Sequence, residues 1–210
     1  MGGEDAWDRA RYLEFDFVVD REGQEAARWS HRWDRWEGDY RLSGVRAGEP
    51  VVILFNVNRS DEGRAWVSGR EVTGPPLDSL RRFGYQRFIN DSYWLLMPYK
   101  WTDPGVQLTY EGPRSEAGRQ WEAVRLRFAD VGLTPQNQYL ALINPETGLM
   151  ERWYHYPNAE AQPSIFDWED WRNFGGIMLA TSKPSAAGPS RIWFDNIVVR
   201  RSVPEGAFVP

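Results

Sequence analysis

From Leu13 onward apolar and polar positions alternate: Leu13, Phe15, Phe17 and Val19 share one parity, with Glu14, Asp16 and Val18 on the other, the pattern of a half-buried β-strand. Trp29, His31 and Trp33 repeat the alternation after the turn Arg21-Glu22-Gly23-Gln24, which predicts a hairpin with its aromatics on one face. Further strands are expected from Tyr40, over Val51 to Val57 and over Arg64 to Val67, separated by Gly- and Pro-containing turns. From Pro76 the period changes. Leu77, Leu80, Phe83, Phe88, Tyr93 and Trp94 recur at helical spacing up to Met97, and Pro98 ends the segment. Gly84 and Asn90-Asp91 are expected to split it into two helices, because Gly weakens a helix interior by roughly 1 kcal/mol and Asn-Asp-Ser suits a new start.

Strands resume over Val106 to Tyr110, Trp121 to Phe128, Gln138 to Ile143, Leu149 to Tyr156, Ile177 to Thr181 and Arg191 to Val199. The turn Asn144-Pro145-Glu146-Thr147-Gly148 marks one hairpin, Asn158 to Asn173 reads as a polar, aromatic-rich loop, and the tail after Arg201 is expected to be loosely held. The fold class that follows is mainly β (α+β): a curled antiparallel sheet of about 11 strands forming an incomplete β-barrel, with a helical insertion at about 76-97 over its concave face. A single domain is expected over residues 1-201, with 202-210 as a C-terminal tail.

Composition sharpens this picture at one point: 12 Trp and no Cys in 210 residues describe a sheet with an unusually aromatic face. Such a face can be a packed core, a lipid-binding hollow or a sugar-stacking platform. A net charge of −5 with both signs interspersed gives no basic stripe for nucleic acid. The absence of Cys removes disulfides and zinc–thiolate sites from consideration. No run of about 18 apolar residues predicts a transmembrane segment. The start Met1 to Ala6 has neither the basic nor the apolar region of a signal peptide, so the chain is expected to be cytoplasmic or to follow a removed targeting segment.

The candidate chemistry centres on the aromatic face. Leu13, Phe15, Phe17, Trp29, Trp33, Leu42, Ile53 and Phe55 could line a hollow that takes an acyl chain, at about 0.8 kcal/mol per buried methylene, or could simply pack beneath the helices. Trp36 and Trp66 fall on the opposite parity and the loop adds Trp168 and Trp171; such indoles could stack on sugar rings, sit at a lipid headgroup interface, or clasp loops against the barrel rim. Asp167, Glu169 and Asp170 form the acidic cluster that invites a glycosidase reading, but three acids within four loop residues do not face each other across a cleft. His31 and His155 are the only histidines, too few for a metal site on spacing. Gly175-Gly176 precedes a strand and lacks the helix end that holds phosphate. No catalytic residues, cofactor or metal are assigned, and the protein is read as non-enzymatic.

Asn90 to Lys100, Asp103-Pro104-Gly105-Val106 and Leu140 to Leu149 make the chain similar to proteins of the lipoprotein-carrier (LolA/LolB-like) fold. Trp153 to Tyr156, Phe174 to Ile177, Phe194 to Ile197, Gly2 to Trp7 and Tyr12 to Phe17 resemble an uncharacterised family of bacterial envelope proteins with that fold. The resemblance implies an incomplete antiparallel barrel with helices plugging its mouth, and an apolar ligand, lipid or acyl chain held between the two. It also implies export to the periplasm or cell envelope, with an envelope protein as a further partner.

Overall fold

A computed structural model describes residues 1–116, 118–129 and 133–210. A short helix α1 (Gly3–Arg9) precedes six strands that run as a meander: β1 (Tyr12–Arg21), β2 (Gln24–Asp34), β3 (Asp39–Arg46), β4 (Glu49–Asn56), β5 (Arg59–Val67) and β6 (Arg70–Val72). Helix α2 (Pro75–Leu96) and a 3-10 turn (Met97–Lys100) follow. The chain then forms β7 (Val106–Glu116), β8 (Arg119–Phe128), β9 (Gln138–Ile143), β10 (Met150–Tyr156), β11 (Ser164–Asp167), β12 (Glu169–Phe174), β13 (Ile177–Pro184) and β14 (Arg191–Arg200). All pairings are antiparallel, in a nine-stranded sheet ordered β12-β13-β14-β1-β2-β3-β4-β5-β6 and a five-stranded sheet ordered β11-β10-β9-β8-β7. The sheets are not closed into a barrel. They meet where Phe166 bridges Ser185 and the amide of Ala186 donates to the carbonyl of Ile165 at 3.0 Å.

The predicted first hairpin forms in the expected register, with Leu13 opposite Trp33, Phe15 opposite His31 and Phe17 opposite Trp29. Its turn is held by Asp20, whose carboxylate accepts from the amide of Gly23 at 2.7 Å. The later turn at Asn144 to Gly148 also forms, with Gly148 at φ +67° and its amide donating to the carbonyl of Asn144 at 2.8 Å. Three strands exceed the expected eleven: β6, β11 and β12. The last two replace the expected loop at Asn158 to Asn173. They carry no legible alternation, because β12 is a sheet edge with mostly exposed polar residues and pairs through its backbone with β13. The tail is not loose, since Ala207 is buried, Phe208 packs edge-on to Tyr12, and Arg41 donates to the carbonyl of Val209 at 2.8 Å.

The helical segment is one continuous helix rather than two. Its buried line runs Leu80, Gly84, Phe88, Ser92 and Leu95, a single stripe at helical spacing. Gly84 is not a break but the point of closest approach: a β-carbon there would lie 3.1 Å from Phe55 and 3.3 Å from Ile53. Packing of the apolar stripe outweighs the propensity cost of one glycine. Asp91 does not start a new helix, because its carboxylate turns inward to Arg87 and His31.

Between the sheets, Lys183 is fully buried, with its ammonium nitrogen 2.5 Å from the carbonyl of Ala180 and 4.0 Å from the centre of the Trp168 ring. Burial pushes this amine well below the usual lysine range. The unfolded chain therefore holds a proton below pH 10.5 that the folded chain resists, so this side chain costs stability as pH falls from about 10. Lys183→Met is expected to stabilise the fold by roughly 1 kcal/mol or more at neutral pH, with the advantage shrinking as pH is raised toward 10, read from urea unfolding across that range. Gly84→Leu is expected to destabilise by about 1–3 kcal/mol through overpacking against Ile53 and Phe55. An unchanged urea midpoint would show that α2 does not rest there.

Candidate functional site

Helix α2 divides its buried surface between the two sheets. Its first half places Leu80, Gly84 and Phe88 on the nine-stranded sheet, where Tyr40, Leu42, Ile53 and Phe55 receive them. Its second half carries Tyr93, Trp94 and, one turn on, Met97 to the five-stranded sheet, against Tyr139 and Trp153. On this second side the packing is incomplete. A cavity of about 480 Å³ opens between Phe88 to Trp94, the turn from Lys100 to Val106, Phe128, the segment from Leu133 to Asn137, and Tyr139, Trp153 and His155.

The cavity wall on the sheet is an aromatic column. The alternation of β9 and β10 puts Tyr139, Trp153 and His155 on the inward face, with Tyr139 directly opposite His155. Trp153 and Tyr139 stack at 4.9 Å with a 17° interplanar angle, and Tyr139 and His155 at 5.0 Å with 20°. Phe128 meets Tyr139 edge-on, and Trp94 meets Trp153 edge-on at 4.5 Å. Polar members of the lining are paired with one another. Asn137 contacts the Nε2 atom of His155 at 2.9 Å, and Lys100 pairs with Asp103 at 2.5 Å. Burial lowers the pKa of His155 and raises those of the Tyr93 and Tyr139 phenols, so all three rings are uncharged at neutral pH.

None of Leu13, Phe15, Phe17, Trp29, Trp33, Leu42, Ile53 and Phe55 lines this cavity. They lie in the packed layer beneath α2, all but Trp33 buried, and Trp33 is half-buried against Phe88. The strong alternation of the first hairpin marks the face that α2 covers, which is also the face it fills. The signal for the actual cavity was the matched parity of Tyr139 with Trp153 and His155 on two strands joined by a turn of defined register.

The exposed-indole platform is not formed. Trp168 is buried beside Trp153, and Trp171 is half-buried with its indole donating to the carbonyl of Met150 at 3.1 Å. Both indoles fill the joint between the sheets because β11 and β12 replace the expected loop. Trp66 is buried as well, and of the four only Trp36 is strongly exposed. Asp167 is tied to Arg152 by contacts of 2.6 and 3.1 Å, which leaves Glu169 and Asp170 on an exposed edge. Among the described residues no three His, Cys, Asp or Glu side chains are grouped to hold a metal ion.

A second polar cluster lies under α2, and of its members Asn90 also lines the cavity. The hydroxyl of Tyr40 is 2.6 Å from Nδ1 of His31, whose Nε2 is 3.1 Å from the Asp91 carboxylate. Asp91 also contacts Arg87 at 2.6 Å and accepts from Asn90 at 2.8 Å. The contact of Asp91 to Arg87 is an ion pair without well-aligned hydrogen-bond geometry, and its contact to His31 likewise lacks that geometry. His31 and Asp91 are wholly enclosed, and Phe15 stacks on the imidazole at 4.6 Å. The cluster clamps the helix to the sheet.

The sequence matches no protein-family model and no curated protein. Among solved structures, a LolA superfamily protein from Nitrosomonas europaea is similar at a TM-score of 0.54 and 12% identity, over 99% of this chain and 97% of its own. A DUF1329 family protein from Desulfovibrio piger is similar at 0.52 and 12% identity, over 98% and 96%. A domain from Vibrio parahaemolyticus, described as an outer-membrane lipoprotein-sorting protein, is similar at 0.50 and 7% identity, over 98% and 93%. The chain therefore has the lipoprotein-carrier (LolA/LolB-like) fold, which its sequence motifs implied. Among the described residues no helix is long and apolar enough to cross a membrane.

Burial lowers the pKa of His31, an effect that outweighs the neighbouring Asp91. The unfolded chain binds a proton below about pH 6.5 that the folded chain resists, so stability is expected to fall as pH drops through that range. In His31→Gln the urea midpoint at pH 7.5 is expected to be lower, while its decline toward pH 5 should be shallower than in the wild type. An equally steep decline would remove His31 as its source.

Proposed function

We propose that the protein binds a hydrophobic ligand, a lipid or acyl chain, in the cavity between the C-terminal half of α2 and the five-stranded sheet. It acts in this reading as an exported bacterial envelope protein that carries or holds its ligand without transforming it. The observation that carries the reading is the cavity itself: an aromatic-lined space of about 480 Å³ under the helix of a LolA/LolB-like fold. Its volume falls within the roughly 300–1,000 Å³ of small-molecule sites. Each methylene transferred into such a lining contributes about 0.8 kcal/mol, so even part of an acyl chain supplies useful affinity. The packed side chains of Leu13, Phe15, Phe17, Trp29, Trp33, Leu42, Ile53 and Phe55 serve in this reading as the support that holds α2 over the cavity.

The test is uptake of a pyrene-labelled fatty-acid methyl ester by the wild type and by Val106→Trp and Thr134→Trp, which add bulk at two lining positions that are not fully buried. Affinity is expected to fall about tenfold or more in each variant, with thermal unfolding close to that of the wild type. Lack of uptake by the wild type, or undiminished uptake by both folded variants, would refute this site.

A further inference from the structure

The rim of the cavity carries a charge arrangement that bears on which part of a lipid it accepts. Lys100 ends the 3-10 turn after α2 and Asp103 follows three residues later, and both line the cavity. Their side chains meet at 2.5 Å, so the rim presents an ammonium already matched by a carboxylate. Among the described lining residues these are the only side chains charged at neutral pH, and they sum to zero. The field of Asp103 is felt inside, where it joins burial and Tyr139 in keeping the Tyr93 phenol protonated. Other polar side chains on the wall are also matched within the protein: Asn137 with His155, Asn90 with Asp91, and Ser92 with the carbonyl of Phe88.

A free carboxylate entering this space would shed water, a large cost unless a counter-charge receives it. The ammonium that could do so is already neutralised, and Asp103 beside it repels the newcomer. An ester or amide carbonyl faces neither penalty, and its chain gains the full apolar burial. We propose that the Lys100–Asp103 pair is a specificity determinant that makes the cavity select uncharged acyl groups, as in lipid esters or amides, over free fatty acids. This rests on the lipid-binding reading above.

Isothermal titration of the purified protein with methyl laurate and with sodium laurate, below the micellar concentration and at neutral pH, separates the cases. The wild type is expected to bind the ester about tenfold or more tightly than the acid anion. Asp103→Asn releases the Lys100 ammonium and is expected to strengthen laurate binding about tenfold, and adding Lys100→Met should abolish that gain. Laurate binding as tight as that of the ester in the wild type, or laurate affinity unmoved by Asp103→Asn, would overturn the selectivity while leaving lipid binding intact. Failure of both compounds to bind would overturn the lipid-binding reading and the selectivity with it.

Discussion

Helix α2 has to bury one apolar stripe against two sheets at once. Its 22 residues span about 33 Å, long enough to cross from the β3–β5 region to β9 and β10. Where it crosses the nine-stranded sheet, its height is set by the absent side chain of Gly84 resting on Ile53 and Phe55, and its rotation by Asp91 reaching down to His31. With the helix seated low on that side, Leu80 and Phe88 fill the space against Tyr40, Leu42 and Phe55. Toward the five-stranded sheet the same rigid rod stands over a wall of flat rings that it cannot fill, and the cavity is the remainder. Close packing at one end and open volume at the other are thus consequences of one placement.

The buried polar groups fit this account. A helix held by apolar contacts alone could slide or rotate by a turn with little loss, because side chains of similar size recur every three or four residues. Asp91, His31, Arg87 and Tyr40 remove that freedom, since any other register would leave the buried Asp91 carboxyl in the core without its partners. Among the described residues Lys183 has no such compensation, having one backbone carbonyl and the faces of Trp168 and Phe194 around it. It occupies the joint between the sheets at a cost to stability.

In the proposed reading, the cavity of this LolA/LolB-like fold holds a ligand between α2 and the five-stranded sheet. Among the described lining residues the inward face is aromatic and the charged pair Lys100 and Asp103 is self-matched, while the enclosed His31 and Asp91 lie outside the lining.

Much of the fold was legible in the chain because strand alternation and turn chemistry are local. The pairing of Phe17 with Trp29, the turn at Asn144 to Gly148 and the helical stripe from Leu80 to Leu95 all follow from side-chain period and backbone preference within a few residues. β11 and β12 were not legible, because an edge strand is held by backbone pairing that any polar sequence permits. Nor was the continuity of α2, since propensity alone penalises Gly84 and only contact with Ile53 and Phe55 turns that absence into a fit. The sequence by itself determined an antiparallel sheet with one aromatic face and one helical cover, both properties of local periodicity. Which part of that face stays open was decided by tertiary structure alone, because free volume depends on how far a rigid helix stands from two sheets at once, a distance encoded at no single position along the chain.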